Sequence, residues 1–433
     1  MSDSLESVSD SPVKTKLSNL QHLTISSFWF ATNFHWGAIL LLLLPGDIET
    51  LLPNQKAQAL GLIVSLGALP ALLVPLISGA LSDRCTRPEG RRKPYIATGV
   101  LVNVFGLLGM ALGVSVFKSV PLYCFAYVLV QVGNNIATGA YMGVIPDIVP
   151  ENERGKASGF MALMTQLGTL VGAVAVGMLL GKLPSLMKYG AIMGVMLIVG
   201  AWTYFGIQEK QHTNKDAFNF RAYLKSLWID PKKYPDFAWV WITRFLVMLG
   251  FYAIQPFIKY YLVDVVGVER GKVDSVAPQL LGIILIVSSF TGYYGGKLSD
   301  KIGRKKVVFL ANGLITVVAP LFILCHDIKL ALVVGALFGF GYGAYISVDY
   351  ALGTDVLPEG TNQGKDMAVW HVAMTLPQTL MAPIAGWLIS LPGKSGVGES
   401  VRYTTEGYAY IFVVCSICFA FGAYLLRNVK SVS

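Results

Sequence analysis

The sequence predicts an all-α membrane protein: twelve transmembrane helices in two six-helix halves, with both termini in the cytoplasm. Three observations carry that expectation. The chain has 433 residues, of which 54% are hydrophobic and only 14% charged. An ordinary soluble domain carries about 25% charged residues, so this chain lacks the polar groups to cover a water-facing surface. Twelve apolar stretches each suffice to cross hydrocarbon, which takes roughly 20 helical residues. Finally, the polar motifs between the stretches occur twice.

The stretches run near 23–45, 58–82, 94–115, 121–146, 157–181, 187–207, 237–262, 276–298, 306–325, 329–353, 365–391 and 407–427. They are too long for lipid-exposed strands, which show about 9–11 residues of alternating pattern. Residues 1–22 are polar, without the basic-then-apolar order of a signal peptide, and read as a disordered cytoplasmic tail. Residues 23–207 form the N-terminal bundle, 208–236 a cytoplasmic linker, 237–427 the C-terminal bundle and 428–433 a short tail. The linker holds ten charged residues. Within it Phe220, Tyr223, Leu224, Leu227 and Trp228 share one helical face, with Arg221 and Lys225 opposite. That pattern suits an interfacial helix on the inner leaflet, or one that docks a partner.

The net charge of +9 has a place in this scheme. Segments expected in the cytoplasm hold 23 Lys and Arg, outer loops hold ten, and one, Arg244, lies deep in a span. This is the positive-inside pattern, and it argues against nucleic-acid binding, since the basic clusters are wedged between hydrophobic spans. Of the five cysteines, Cys124, Cys325, Cys415 and Cys418 fall in spans and Cys85 in a loop, with no metal-ligand spacing. No nucleophile elbow, HExxH or P-loop occurs, so neither an enzyme, an ATP-driven pump nor a bound cofactor is expected.

The repeat pairs each span with the one six later. Gly79-Ala-Leu-Ser-Asp83-Arg84, then Gly90-Arg91-Arg92-Lys93, follows span 2. Gly296-Lys-Leu-Ser-Asp300-Lys301-Ile-Gly303-Arg304-Lys305-Lys306 follows span 8. Asp147-Ile-Val-Pro150-Glu151 after span 4 is echoed by Asp355-Val-Leu-Pro358-Glu359 after span 10. Thr32-Asn33-Phe34 with Pro45 in span 1 is echoed by Thr243-Arg244-Phe245 with Pro256 in span 7. Parallel six-span repeats are a transporter architecture.

The pattern G-x-x-x-D-[RK]-x-G-[RK]-[RK], present in both halves, resembles that of the major facilitator superfamily, and the resemblance covers all twelve spans. It implies a transporter working by alternating access. It also implies a cytoplasmic latch of Gly79, Asp83, Arg84, Gly90, Arg91, Asp300, Gly303 and Arg304, in which the Asp accepts from the N-terminus of a neighbouring helix. The same residues could equally serve only to anchor loops. The first copy carries five residues, Cys85 to Glu89, where the second has only Ile302. Its extended form, through Pro94-Tyr95-Ile96, resembles glycoside–cation symporters and sucrose carriers. Two departures weigh against a close match: residues 58–81 contain no acid, where melibiose-type carriers have acidic residues. Span 4 offers only amides, where sucrose carriers generally place an Asp.

Polar groups inside spans are costly and mark pathways by default. The unusual ones fall on spans that line the central cavity or stand beside it in that family. They are Asn33 and His35 (span 1), Gln131, Asn134 and Asn135 (span 4), Gln166 (span 5), Tyr252 and Gln255 (span 7), Tyr342 and Tyr345 (span 10), and Trp370, His371 and Gln378 (span 11). Amides match hydroxyls as donor and acceptor, and aromatic faces suit a sugar ring, so a sugar or similar neutral polar solute is expected; the alternative role for some of the amides is bonding helix to helix. Arg244 and Asp349 stand apart as opposite charges at similar depth on spans adjacent in the family. They are expected to pair, either as a permanent salt bridge or as a proton-coupling switch, with His35 as a second proton candidate. The expected protein is thus a monomeric proton-coupled sugar symporter in a plasma or bacterial inner membrane. Its partners are a small-molecule substrate, protons and the bilayer. A proton-antiport exporter and a non-transporting pigment-assembly or receptor-like relative share the architecture.

Overall fold

A computed structural model describes residues 16–150, 153–209, 211, 229–357 and 363–431. The expected interfacial helix and the first 15 residues fall outside them. Twelve helical segments are long and apolar enough to cross a membrane. They are span 1 (Asn19–Leu51), span 2 (Pro53–Ser82), span 3 (Lys93–Ser115), span 4 (Val120–Ile148), span 5 (Lys156–Leu179) and span 6 (Ser185–Gly206). The second half holds span 7 (Pro235–Asp264), span 8 (Arg270–Ile302), span 9 (Arg304–Leu324), span 10 (Ile328–Asp355), span 11 (Val372–Ser390) and span 12 (Thr405–Asn428). The even number of spans among the described residues puts the two ends of the described chain on one face, called here the terminal face; the other is the opposite face.

Local chemistry sets the ends. Span 1 opens on a capping box, with Ser18 accepting from the Gln21 N–H and the Gln21 side chain accepting from the Ser18 N–H. Ser119 and Asp327 cap spans 4 and 10 in the same sense. Span 1 differs from expectation at its far end. Pro45 does not stop it, because a π-helical turn at Ile39–Leu43 absorbs the missing N–H and the helix resumes over Leu44–Leu51. Asp47 and Glu49 are thereby carried into the span. Large apolar side chains such as Phe105, Ile198, Phe205 and Phe290 point outward and exposed, the arrangement lipid requires.

Packing repeats as the motifs do. In the first half span 1 packs on spans 5 and 6, span 4 on spans 2 and 3, and span 3 on span 6. In the second half span 7 packs on spans 11 and 12, span 10 on spans 8 and 9, and span 9 on span 12. Each of these pairs has its counterpart six spans later.

The halves meet along spans 2 and 11 and, less extensively, spans 5 and 8. At the first seam the backbones nearly touch. A Cβ on Gly61 would lie 2.4 Å from the Ala382 carbonyl oxygen, and one on Gly386 would lie 2.3 Å from that of Ala57. Ser65 Oγ donates across the seam to the Thr379 carbonyl at 2.8 Å. Gly61→Val is expected to destabilise the protein by about 1–3 kcal/mol. Thermal unfolding in detergent checks this, with Gly190→Val as the neutral control because nothing lies within 4 Å of its Cβ position.

Candidate functional site: a buried ion pair and two faces held differently

Arg244 of span 7 and Asp349 of span 10 form an ion pair. Both are buried, at 4% and 3% exposure. The Asp349 carboxylate also accepts from Tyr345 Oη at 3.0 Å, one helical turn earlier. The Arg244 guanidinium lies 3.5 Å from the centre of the Trp370 ring, a cation–π contact, and one of its nitrogens approaches Met374 Sδ at 3.5 Å. Gly353 makes room for that indole, since a Cβ there would fall 2.6 Å from Trp370. Tyr252 and Tyr342 lie within electrostatic reach of the guanidinium, and Tyr342 stacks on Phe251. Spans 7, 10 and 11 thus converge on one charge pair. Tyr345 and Trp370, two of the residues expected to touch substrate, both contact the pair.

The polar residues of the first half are more dispersed. Gln131 is buried against Gly67 of span 2 and donates to Tyr127 Oη at 3.1 Å. Asn135 donates to the Gln131 carbonyl at 2.8 Å and to its side-chain oxygen at 3.3 Å. Asn134 is buried with its side-chain oxygen unpartnered among the described residues. Asn33 is half-buried and bonds back to the Trp29 carbonyl at 2.8 Å. His35 is fully buried edge-on to Trp36, and neither ring nitrogen has a partner among the described residues. Gln166 reaches Ser289 of span 8 at 3.5 Å, a contact between the halves. Gln255 sits in the 3₁₀ turn Gln255–Phe257 of span 7, and Gln378 is half-buried on span 11. The side chain of His371 lies outside the described set.

At the terminal face the two loop motifs bond to one another within each half. Arg92 meets Asp83 at 2.5 Å and Asp147 at 2.9 Å, and Arg91 Nε donates to Asp147 at 3.0 Å. In the second half Arg304 Nε meets Asp355 at 2.7 Å. Asp147 and Asp355, which open the two echoed segments, are therefore partners of the basic residues that follow the echoed glycines. Arg84 donates to the Ala80 carbonyl at 2.6 Å, Asp300 is exposed, and Gly79 packs against Gly139. Gly90 and Gly303 both have positive φ, at 115° and 99°, which a side chain would strain.

The expected bond from the motif Asp to a helix N-terminus is replaced. Asp83 pairs with Arg92, and the N-terminus of span 3 is capped by Glu209, which follows span 6. Its Oε2 accepts from the Arg92 and Lys93 N–H groups at 2.9 and 3.3 Å. Burial raises the Glu209 carboxyl above the usual carboxylate range, because its other oxygen is buried without a partner; the two N–H donors only partly oppose this. The folded protein therefore holds this proton more tightly than the unfolded chain. The residue's contribution to stability falls as pH rises from the ordinary carboxylate range through the raised value. Glu209→Gln is expected to flatten that dependence, read as unfolding temperature between about pH 4 and pH 8.

At the opposite face the bonds run between the halves. Glu49 of span 1 accepts from Lys56 at 2.7 Å and pairs with Arg270 of span 8 at 3.2 Å. Asp274 of span 8 pairs with Lys259 of span 7 at 2.6 Å and with Lys188 of span 6 at 3.6 Å. Each carboxylate is thus shared by one cation from its own half and one from the other. Lys259 Nζ also donates to the Leu42 carbonyl at 3.2 Å, and Tyr260 Oη to that of Pro45 at 2.8 Å. Asp47, at 3% exposure, accepts from Tyr189, Tyr123 and Ser185 at 2.7, 3.0 and 3.3 Å. A short hairpin, Lys394–Ser395 with Arg402–Tyr403, straps over this end, and the Val401 carbonyl accepts from Lys56 and Arg270 at 3.0 and 2.8 Å.

Arg244 is therefore not the one buried cation within a span: Lys259 lies inside span 7 at 7% exposure. Its position near the helix end, where a snorkelling lysine is ordinary, hid this role. Asp274→Asn is expected to loosen this face. A loss of about 1.4 kcal/mol would raise the population open on this side about tenfold, read as labelling of a cysteine introduced at Leu43 by a membrane-impermeant thiol reagent.

These features define a multi-pass membrane protein of two parallel six-helix repeats, closed between the halves at one face. The sequence matches the Major Facilitator Superfamily over residues 23–295 and 275–432. The chain belongs to that superfamily of membrane transporters. It is 31% identical over 176 residues to a sucrose transport protein of Arabidopsis thaliana, covering 37% of this chain and only 34% of that protein. A multi-drug resistance efflux pump homologue of Lactococcus lactis is 22% identical over 302 residues, covering 66% of this chain and 67% of that one. The crystal structure of a D-xylose–proton symporter superposes with a TM-score of 0.69 at 14% identity, covering 96% of this chain and 99% of that one, and shows the same fold.

Proposed function

We propose that the protein is a proton-coupled symporter that carries a sugar or similar neutral polar solute by alternating access. It works as a monomer in a plasma or bacterial inner membrane, with both termini in the cytoplasm and the structure closed toward the outside. The observation that carries the coupling is the buried Arg244–Asp349 pair. A proton taken up by the Asp349 carboxylate cancels its charge and ends the ion pair. Arg244 is then left without its counter-charge against Trp370, a state that favours rearrangement of spans 7, 10 and 11. Release of the proton restores the pair. Asn33, Asn134, Gln255 and Gln378 supply amides for hydroxyl groups, and Tyr252 supplies an aromatic face. The partial match to a sucrose transport protein supports a sugar. The efflux-pump homologue supports a second reading, proton antiport outward, on the same pair.

The test is uptake of labelled mono- and disaccharides into liposomes containing the purified protein, under an imposed pH gradient. Acidification outside is expected to drive concentrative uptake. Asp349→Asn is expected to abolish accumulation while leaving substrate exchange at equal concentrations, and Arg244→Ala to reduce both. Concentrative uptake retained by both variants overturns the coupling role. Proton-driven loss of solute from preloaded vesicles selects the exporter.

A further inference from the structure

We propose that the cleft between spans 9 and 12 at the terminal face holds one anionic phospholipid, its phosphate headgroup among Lys305, Lys306 and Arg427. The cleft has a volume of about 480 Å³. Phe309, Leu310 and Leu426 line its membrane side and the three basic residues line its mouth, with no acidic residue among those that form it. Phe309 and Leu310 are exposed, so the cleft opens sideways toward hydrocarbon. Lys305 Nζ donates to the Val429 carbonyl at 2.7 Å, a neutral acceptor. The Arg427 guanidinium lies flat on Tyr424, 3.7 Å from the ring centre, and Lys306 is exposed. Asp236, which stands outside the cleft and accepts from the Lys430 and Ser431 N–H groups at 2.9 and 2.7 Å, shares its field with Lys305 and leaves Lys306 and Arg427 as the cations of the mouth that no described carboxylate pairs.

The internal repeat supplies the comparison that makes this cluster unusual. The loop echo aligns Lys305 and Lys306 with Arg92 and Lys93. In the first half Arg92 faces two carboxylates, Asp83 and Asp147, and Glu209 sets a third against the same loop. Lys93 lies over the ring of Tyr204 on span 6, at 5.4 Å, as Arg427 lies over Tyr424 on span 12. In the second half Asp355 is taken by Arg304, and the cluster of Lys305, Lys306 and Arg427 has no carboxylate of its own among the cleft residues. Among the described residues lining the cleft none supplies an anion, which leaves Lys306 and Arg427 open to one from the membrane. A headgroup phosphate satisfies the cations and its acyl chain fills the apolar wall, which free phosphate cannot do.

The experiment compares intact protein with a Lys305→Gln/Lys306→Gln/Arg427→Gln variant in nanodiscs of equal phosphatidylethanolamine and phosphatidylglycerol, with retained lipid counted by native mass spectrometry. The intact protein is expected to keep one phosphatidylglycerol. Each single substitution is expected to weaken retention about fivefold and the triple variant about 100-fold. Lys305→Arg/Lys306→Arg/Arg427→Lys, which keeps the charge, is expected to retain the lipid, so a folding defect in the neutral variant is distinguishable. Lys118→Gln/Lys182→Gln/Lys272→Gln removes as much charge from the opposite face and is expected to change nothing. Equal retention of phosphatidylethanolamine, undiminished retention by the neutral variant, or equal stabilisation by inorganic phosphate overturns the proposal.

Discussion

A charge placed in hydrocarbon must find its opposite within the protein, and this constraint organises the whole molecule. Water cannot solvate the buried groups, so an unpaired guanidinium or carboxylate at membrane depth costs several kcal/mol. The chain answers with ion pairs whose partners sit on different helices. Arg244 is balanced by Asp349 one way across the C-terminal bundle. Glu49 and Asp274 are balanced across the boundary between bundles. Because the partners come from different helices, no bundle or half can move far without exchanging one of these pairs for another, and each pair is tied to the arrangement of the helices that carry it.

The duplicated architecture explains where those pairs can lie. Two copies of a six-helix unit pack their spans alike, so contacts inside a half are repeated and contacts between halves are few. Loop motifs that follow spans 2 and 8 reach the loops after spans 4 and 10 of the same half, as Arg91 does to Asp147 and Arg304 to Asp355. Those bonds survive any rigid rocking of one half against the other. The bonds at the opposite face have no such protection, since Arg270 to Glu49 and Lys188 to Asp274 cross the boundary. One face is therefore stitched by separable bonds and the other by permanent ones.

Much of this was legible in the residues. Long apolar runs define the spans, and the echoed loops define the repeat. Arg244 and Asp349 stood out because a charge in an apolar run has no bland explanation. The contact of Trp370 with Arg244 is not legible in the residues, because an aromatic suits a sugar ring and a guanidinium equally and the fold brings the two together. Asp47 and Glu49 were missed because hydropathy trims a span at its first charges, and Lys259, inside the run 237–262 but near its end, reads as a lysine of the outer loop. Pro45 also reads as a stop, although a π turn carries the helix through it. The signal available was three charges within a few residues of span ends on opposite halves. Glu209 left no signal at all, since its partners are backbone N–H groups more than a hundred residues away.

The two halves, though built on one plan, have drifted apart electrostatically, and the difference has a direction. The first copy of the loop motif is longer by the residues Cys85 to Glu89 and is neutralised by Asp83, Asp147 and Glu209. The second is short, and its Lys305 donates to the Val429 carbonyl. A loop whose charges are satisfied internally is stiff, because breaking any one bond leaves a buried charge exposed to its neighbours. A loop with surplus cations is instead responsive to whatever anion the surroundings offer. The same asymmetry appears in the membrane, where the Arg244–Asp349 pair belongs wholly to the second half and the first contributes amides, with Asn135 bonded to Gln131, Gln131 to Tyr127 and Asn33 to the Trp29 carbonyl. In this chain the N-terminal half is the firmer scaffold, and the C-terminal half holds the charges that a proton or an anionic headgroup could rearrange.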